Sequence, residues 1–146
     1  MIKDLCLLLI AALAWTAVPA AAQTEQALIQ EQLALVMARE QPLTSEDVRI
    51  YIENAETIFR LRFEPEKTEE TAAAIKAWTP SRFAYVTAKI PIGLHQILRP
   101  DAPRGALNAP EFARPSEPEL TIIRRSQEEL ISTLERLQTL YAPETP

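Results

Sequence analysis

Apolar residues recur at helical spacing along most of this chain, and the breaks between the runs carry proline rather than glycine. In the first run, over about 24–40, Ile29, Leu33, Val36 and Met37 stand at i, i+4, i+7 and i+8, one face of a helix that Gln41-Pro42 stops. Thr44 then precedes Asp47 by three residues, which puts a cap and an acid at the positive end of a second helix, about 45–62. Val48, Ile52, Ala55 and Phe59 form its stripe, flanked by Tyr51 and Ile58, and Phe63-Glu64-Pro65 ends it. A third, Ala-rich helix is predicted over 66–78, opened by Glu66, Glu69 and Glu70 and burying Ala72, Ile75 and Trp78.

The fourth segment carries two periods. Phe83, Tyr85 and Thr87 alternate as a strand would, but Phe83, Val86, Ile90, Leu94 and Ile97 keep helical phase for four turns. Thr79 as N-cap with Pro80 at the first helical position decides for a helix over 80–98. Pro91 removes one backbone hydrogen bond inside it, so a kink is expected there, softened further by Gly93. Over 99–115 the pattern is lost to Pro100, Pro103, Gly105, Pro110 and Pro115, which predicts an extended crossover anchored by Leu107 and Phe112. Ser116 and Glu119 make a capping box for a last helix. There Leu120, Ile123, Gln127, Leu130, Leu134, Leu137 and Tyr141 alternate three and four apart, with Ile131 and Leu140 widening the seam. About 24 residues give roughly 36 Å, long enough to be the spine of the domain.

These runs predict an all-α fold: an irregular four- to five-helix bundle with a Pro-kinked helix, a long Pro-rich crossover and a long C-terminal heptad-patterned helix. Composition agrees, since two Gly in 146 residues leave few sites for tight hairpin turns.

The amino terminus reads differently. Lys3 precedes an apolar run over 5–18, and Ala20-Ala21-Ala22 supplies a small-residue cleavage site, the order of an export signal. Fourteen helical residues reach about 21 Å, short of a bilayer core of about 30 Å. Residues 1–22 are therefore expected to be a signal peptide and 23–146 a single helical domain, periplasmic or secreted from a bacterium, with no stable membrane span after cleavage. Cys6 falls inside the signal, so the mature chain has no disulfide, thiolate metal site or Cys nucleophile. A net charge of −5 argues against a nucleic-acid partner.

Candidate chemistry is sparse. His95 is the lone imidazole, without a second His or a mature Cys to complete a metal site. Arg82, Tyr85, Lys89 and Gln96 line one strip of the fourth helix, either to hold an anion or a partner's carboxylate, or as a solvated face. A bend at Pro91 would open a groove with Arg82, Tyr85, Lys89, Ile92 and His95 around it. Glu66, Glu69 and Glu70 suit a helix start, Arg124-Arg125 a solvated face, and Gln127 either a register-setting contact or a wet gap. The expectation is an exported, non-enzymatic module that binds another exported protein or peptide, with no cofactor, metal or catalytic residue. The alternative is a small-ligand or lipid carrier with a cavity beside Pro91. The 120–141 helix would offer a surface for a homo-oligomer.

Overall fold

Side-chain caps at Thr44, Thr79 and Ser116 start three of the helices, and the small polar residues Asn54 and Ser126 stop two. The computed structural model describes residues 20–102 and 109–142, with side chains from Ala27 onward. The apolar run over 5–18, Cys6 and Leu107 lie outside the described residues. Among those described there are seven α-helices and no strand, an all-α bundle. They are α1 (Ala20–Arg39), α2 (Ser45–Glu53), α3 (Ala55–Arg60), α4 (Thr68–Ala74), α5 (Pro80–Leu98), α6 (Glu117–Arg125) and α7 (Gln127–Leu140). Single 3₁₀ turns occur at Pro65–Lys67 and Glu111–Ala113.

Three expected helices differ from the pattern. The second is split at Asn54, whose side-chain amide donates to the Ile50 carbonyl at 2.8 Å and diverts the backbone to φ −106°, ψ 12°. The last is split at Ser126, which takes nearly the same conformation, φ −110°, ψ 15°. The expected 36 Å spine is thus two shorter helices, and each bend lets apolar residues on both sides reach the core. Ile123 lies before the second bend and Leu130, Leu134 and Leu137 after it, all buried. Those three leucines are used within the chain, whereas Leu140 at the end of the same pattern stays exposed. Gln127 is half-buried at the first position of α7 rather than inside a continuous seam. The third helix ends at Ala74, because Ile75 leaves helical geometry at ψ 86°, yet Ala72, Ile75 and Trp78 are all buried as the pattern requires. On the crossover Phe112 is half-buried, and Ala113 beside it is the fully buried contact.

The spine of the fold is α5. It runs unbroken through Pro91, with Thr79 accepting from Arg82 N at 3.1 Å and Pro80 in the first turn. Every residue from 88 to 95 is buried, so this stretch is enclosed on all sides rather than on one face. It packs most extensively against α6, and also meets α1, α2 and α4. Gly93 allows that approach. A Cβ built there would lie 2.4 Å from Ile123 Cδ1 and 3.0 Å from Pro115 Cγ. Ile123 is wholly buried and the proline ring is stiff, so neither neighbour has room to yield.

Gly93→Ala separates helix propensity from packing. Propensity alone would stabilise by about 1 kcal/mol, whereas overpacking costs about 1–3 kcal/mol. We expect net destabilisation in urea unfolding; a variant more stable than the parent would show that α6 does not rest on Gly93. Leu134→Ala, at a 3% exposed site, should cost about 2–5 kcal/mol in the same experiment.

Candidate functional site

Arg82, Tyr85 and Lys89 do share one strip of α5, but the strip faces inward. Tyr85 and Lys89 are 5% and 7% exposed, and the Arg82 side chain is 13% exposed. The two cations flank the phenol ring, with Arg82 Cζ 5.0 Å and Lys89 Nζ 5.1 Å from its centroid. The anions that this arrangement holds belong to the chain itself. They are Asp47 and Glu119, the third residues of the two capping boxes.

Asp47 caps α2 through Thr44, with its carboxylate accepting from Thr44 N at 2.9 Å while its own N–H donates to Thr44 Oγ1 at 3.1 Å. The same carboxylate pairs with the Arg82 guanidinium and accepts from Trp78 Nε1 at 3.1 Å. Arg82 also donates to the Gln41 and Pro42 carbonyls and meets the Glu40 carboxylate at 3.4 Å. One guanidinium therefore binds the link between α1 and α2 to α5, a use of its planar fork that an ammonium could not make.

Glu119 is 2% exposed. Its Oε1 accepts from Ser116 N at 3.0 Å and Ser116 Oγ at 3.1 Å, and Lys89 Nζ stands 3.6 Å away. Its Oε2 accepts from the Tyr85 hydroxyl at 2.6 Å and from Leu43 N at 2.9 Å. Four hydrogen bonds fill the four lone-pair positions of one carboxylate. Lys89 donates in addition to the Arg114 carbonyl at 2.7 Å. Burial disfavours charge on Glu119, but the bonds from Ser116, Tyr85 and Leu43, with Lys89 beside them, hold its carboxyl below the ordinary value. Asp47 follows the same balance, with burial opposed by Arg82 and Thr44 and the net shift downward. Burial pushes the Tyr85 hydroxyl up, and Glu119 pushes it further. Burial lowers Lys89 despite Glu119.

Ile92 and His95 do not join a groove mouth with these residues. Ile92 is 1% exposed, and the surroundings of Pro91 are filled. His95, also buried, lies one turn farther along, at the wall of a cleft of about 360 Å³. Gln96, Arg99, Arg114, Glu117 and Leu120 line it too, and the Gln96 Oε1 has no hydrogen-bond partner. That volume is at the low end for small-ligand sites, but polar side chains, four of them charged, outnumber the apolar ones in these walls. Among the described residues no three His, Cys, Asp or Glu stand close enough together to hold a metal ion.

A second cluster escaped the sequence reading. At the end of α3, Phe59, Phe63 and Tyr141 gather, with Phe63 and Tyr141 stacked at 6.1 Å and 29°. The Tyr141 hydroxyl donates to Glu56 at 2.8 Å and accepts from Arg60 Nε at 2.8 Å. Arg62 lies over two of these rings, its Cζ 4.8 Å from Phe59 and 5.5 Å from Phe63. Phe63 and Leu140 remain 57% and 62% exposed. Read as breakers and seam residues, these positions are eighty residues apart, and only the fold brings them together.

The interior cluster sets an acid limit on stability. Both carboxyls are lowered from unfolded values of 3.8 and 4.5, so at intermediate pH the unfolded chain binds more protons. Their contribution is complete above 4.5 and is lost as pH falls through the folded values. Urea midpoints from pH 7 to pH 3 should therefore fall on acidification and fall less steeply for Glu119→Gln. An equal slope in that variant would mean that Glu119 binds protons alike in the folded and unfolded chain, and a steeper fall that it is buried uncharged. Glu119→Ala, which strands Lys89, should cost about 3–5 kcal/mol.

No protein-family model matches the chain, and neither a curated protein nor a solved structure does, so the function has to be read from these side chains themselves.

Proposed function

We propose that the chain is an exported, non-enzymatic module that binds another protein or peptide through the aromatic corner at the end of α3. The observation that supports this reading is the exposed Phe63 ring, stacked on Tyr141 and covered by Arg62, whose Nε is buried without a hydrogen-bond acceptor; exposed Leu140 precedes Tyr141 in the chain. Burial alone lowers the Arg62 guanidinium, since no carboxylate approaches it among the described residues. A Tyr stacked on an exposed Phe, beside an Arg that no described carboxylate approaches, has the Tyr and Arg composition of a binding hot spot. The complement is a segment with a carboxylate beside a large apolar side chain. Meanwhile the ionisable groups of the α5 strip are engaged with one another and with neighbouring backbone, so they hold the bundle together rather than face a substrate.

A second reading has one observation in its favour. The unpartnered Gln96 Oε1 at the 360 Å³ cleft would suit a small polar ligand, and the charged walls argue against a lipid. Native mass spectrometry of protein taken from the bacterial envelope separates the two. We expect a bound polypeptide that is lost when Phe63→Ser and Leu140→Ser are combined. A small-molecule adduct that survives this double variant would overturn the binding-module reading in favour of the cleft.

Export rests on the apolar run over 5–18 followed by Ala20-Ala21-Ala22. Among the described residues no helix is long and apolar enough to cross a membrane. Amino-terminal sequencing of the exported protein should begin at Gln23, or at Ala21 if cleavage falls two residues earlier. Met1 on that protein would exclude a cleaved signal.

A further inference from the structure

The aromatic corner has a counterpart elsewhere on the same chain. On α1, Leu28, Glu31 and Leu35 stand at i, i+3 and i+7, hence on one face. The opposite side of the helix packs inward through Leu33 and Met37. Leu28 and Leu35 are 58% and 57% exposed, and Glu31 between them is exposed with no basic partner among the described residues. This face presents an anion without a cation, flanked by leucines. At the corner the Arg62 guanidinium lies over Phe59 and Phe63 with no anion against it among the described residues, and exposed Leu140 precedes Tyr141.

The two surfaces do not meet within one chain. α1 packs on α5 and on the 3₁₀ turn Glu111–Ala113, whereas the corner is built from the end of α3 and the end of α7. Two copies of net charge −5 repel one another at long range, so a specific contact needs a local cation that the chain has not already neutralised. Arg62 is such a cation, and Glu31 is an unneutralised acid set between exposed leucines.

We propose that the aromatic corner is a docking site for α1 of a second copy of this chain, with Glu31 of that copy against Arg62 and its Leu28 and Leu35 against Phe63 and Leu140. The inference rests on the reading of the corner as a binding surface and names its occupant. The contact joins two different patches, so it is heterologous and leads to a closed ring or an open chain of copies.

The test is sedimentation velocity on the mature chain over a range of concentrations, with circular dichroism to verify folding. The parent should self-associate as its concentration rises. Arg62→Glu and Glu31→Arg should each weaken it at least tenfold. Mixed in equal parts, these two variants should associate again, because each corner then faces an α1 of opposite charge. Glu31→Arg changes an exposed position, so it stays informative even if Arg62→Glu fails to fold. A parent that stays monomeric at the highest concentrations overturns the proposal, as does self-association unchanged in Glu31→Arg. A monomeric parent that still carries a foreign polypeptide, lost with Phe63→Ser and Leu140→Ser, refutes the homotypic contact alone. A monomeric parent without such a polypeptide refutes the binding surface as well.

Discussion

One carboxylate holds together parts of the chain that no helix connects. Glu119 starts α6 as its third residue, but its two oxygens also bind Tyr85 on α5 and the backbone of Leu43 between α1 and α2. Fully enclosed, such a group is costly to bury unless every lone pair finds a donor, and here each does. Direction follows from the same bonds. Hydrophobic contact would let the segment before α2 slide over α5, whereas hydrogen bonds to Leu43 N, and from Arg82 to the Gln41 and Pro42 carbonyls, allow one position. Lys89 does for the end of the crossover, at the Arg114 carbonyl, what Arg82 does for the earlier link.

This network depends on how closely α5 can be approached. The stretch from 88 to 95 is surrounded, and the sequence supplies narrow or stiff residues there: Ala88, Pro91 and Gly93. Gly93 leaves space for Ile123, and that contact brings α6, and Glu119 with it, against Tyr85. Pro91 and Gly93 are thus tied to helix packing, and the cleft nearest to them opens one turn farther on, at His95. The apparent functional strip of α5 and the irregular grammar of that helix have a single cause, the assembly of the core.

The uncovered apolar side chains lie at the periphery. Phe63, Leu140 and Arg62 lie where α3 and α7 end, and Leu28, Glu31 and Leu35 lie on the outer face of α1. Apolar and charged groups left uncovered in a fold that satisfies its interior carboxylates so completely are the basis for placing binding there.

Much of the architecture was legible in the residues themselves. Helical phase in Phe83, Val86, Ile90 and Leu94, with the Thr79-Pro80 start, specifies α5 to its ends, and the boxes at Thr44 and Ser116 specify two further starts. These features act between neighbours along the chain, and local sequence is sufficient to determine them. Asp47 and Glu119 were visible as caps, and their interior role had a trace too: each stands four residues before a buried position, Tyr51 and Ile123. The bends at Asn54 and Ser126, the partners of Arg82 and Lys89, and the meeting of Phe63 with Tyr141 were not legible. Periodicity says that a side chain faces inward but not what it meets there. Whether Arg82, Tyr85 and Lys89 face water or a carboxylate depends on residues thirty or more positions away, of which Glu119 is brought near by the Gly93–Ile123 contact. The sequence by itself determined the helices and most of their apolar faces. The tertiary structure alone decided which charges would be neutralised inside, because that choice rests on the distance between chain segments remote from one another in sequence.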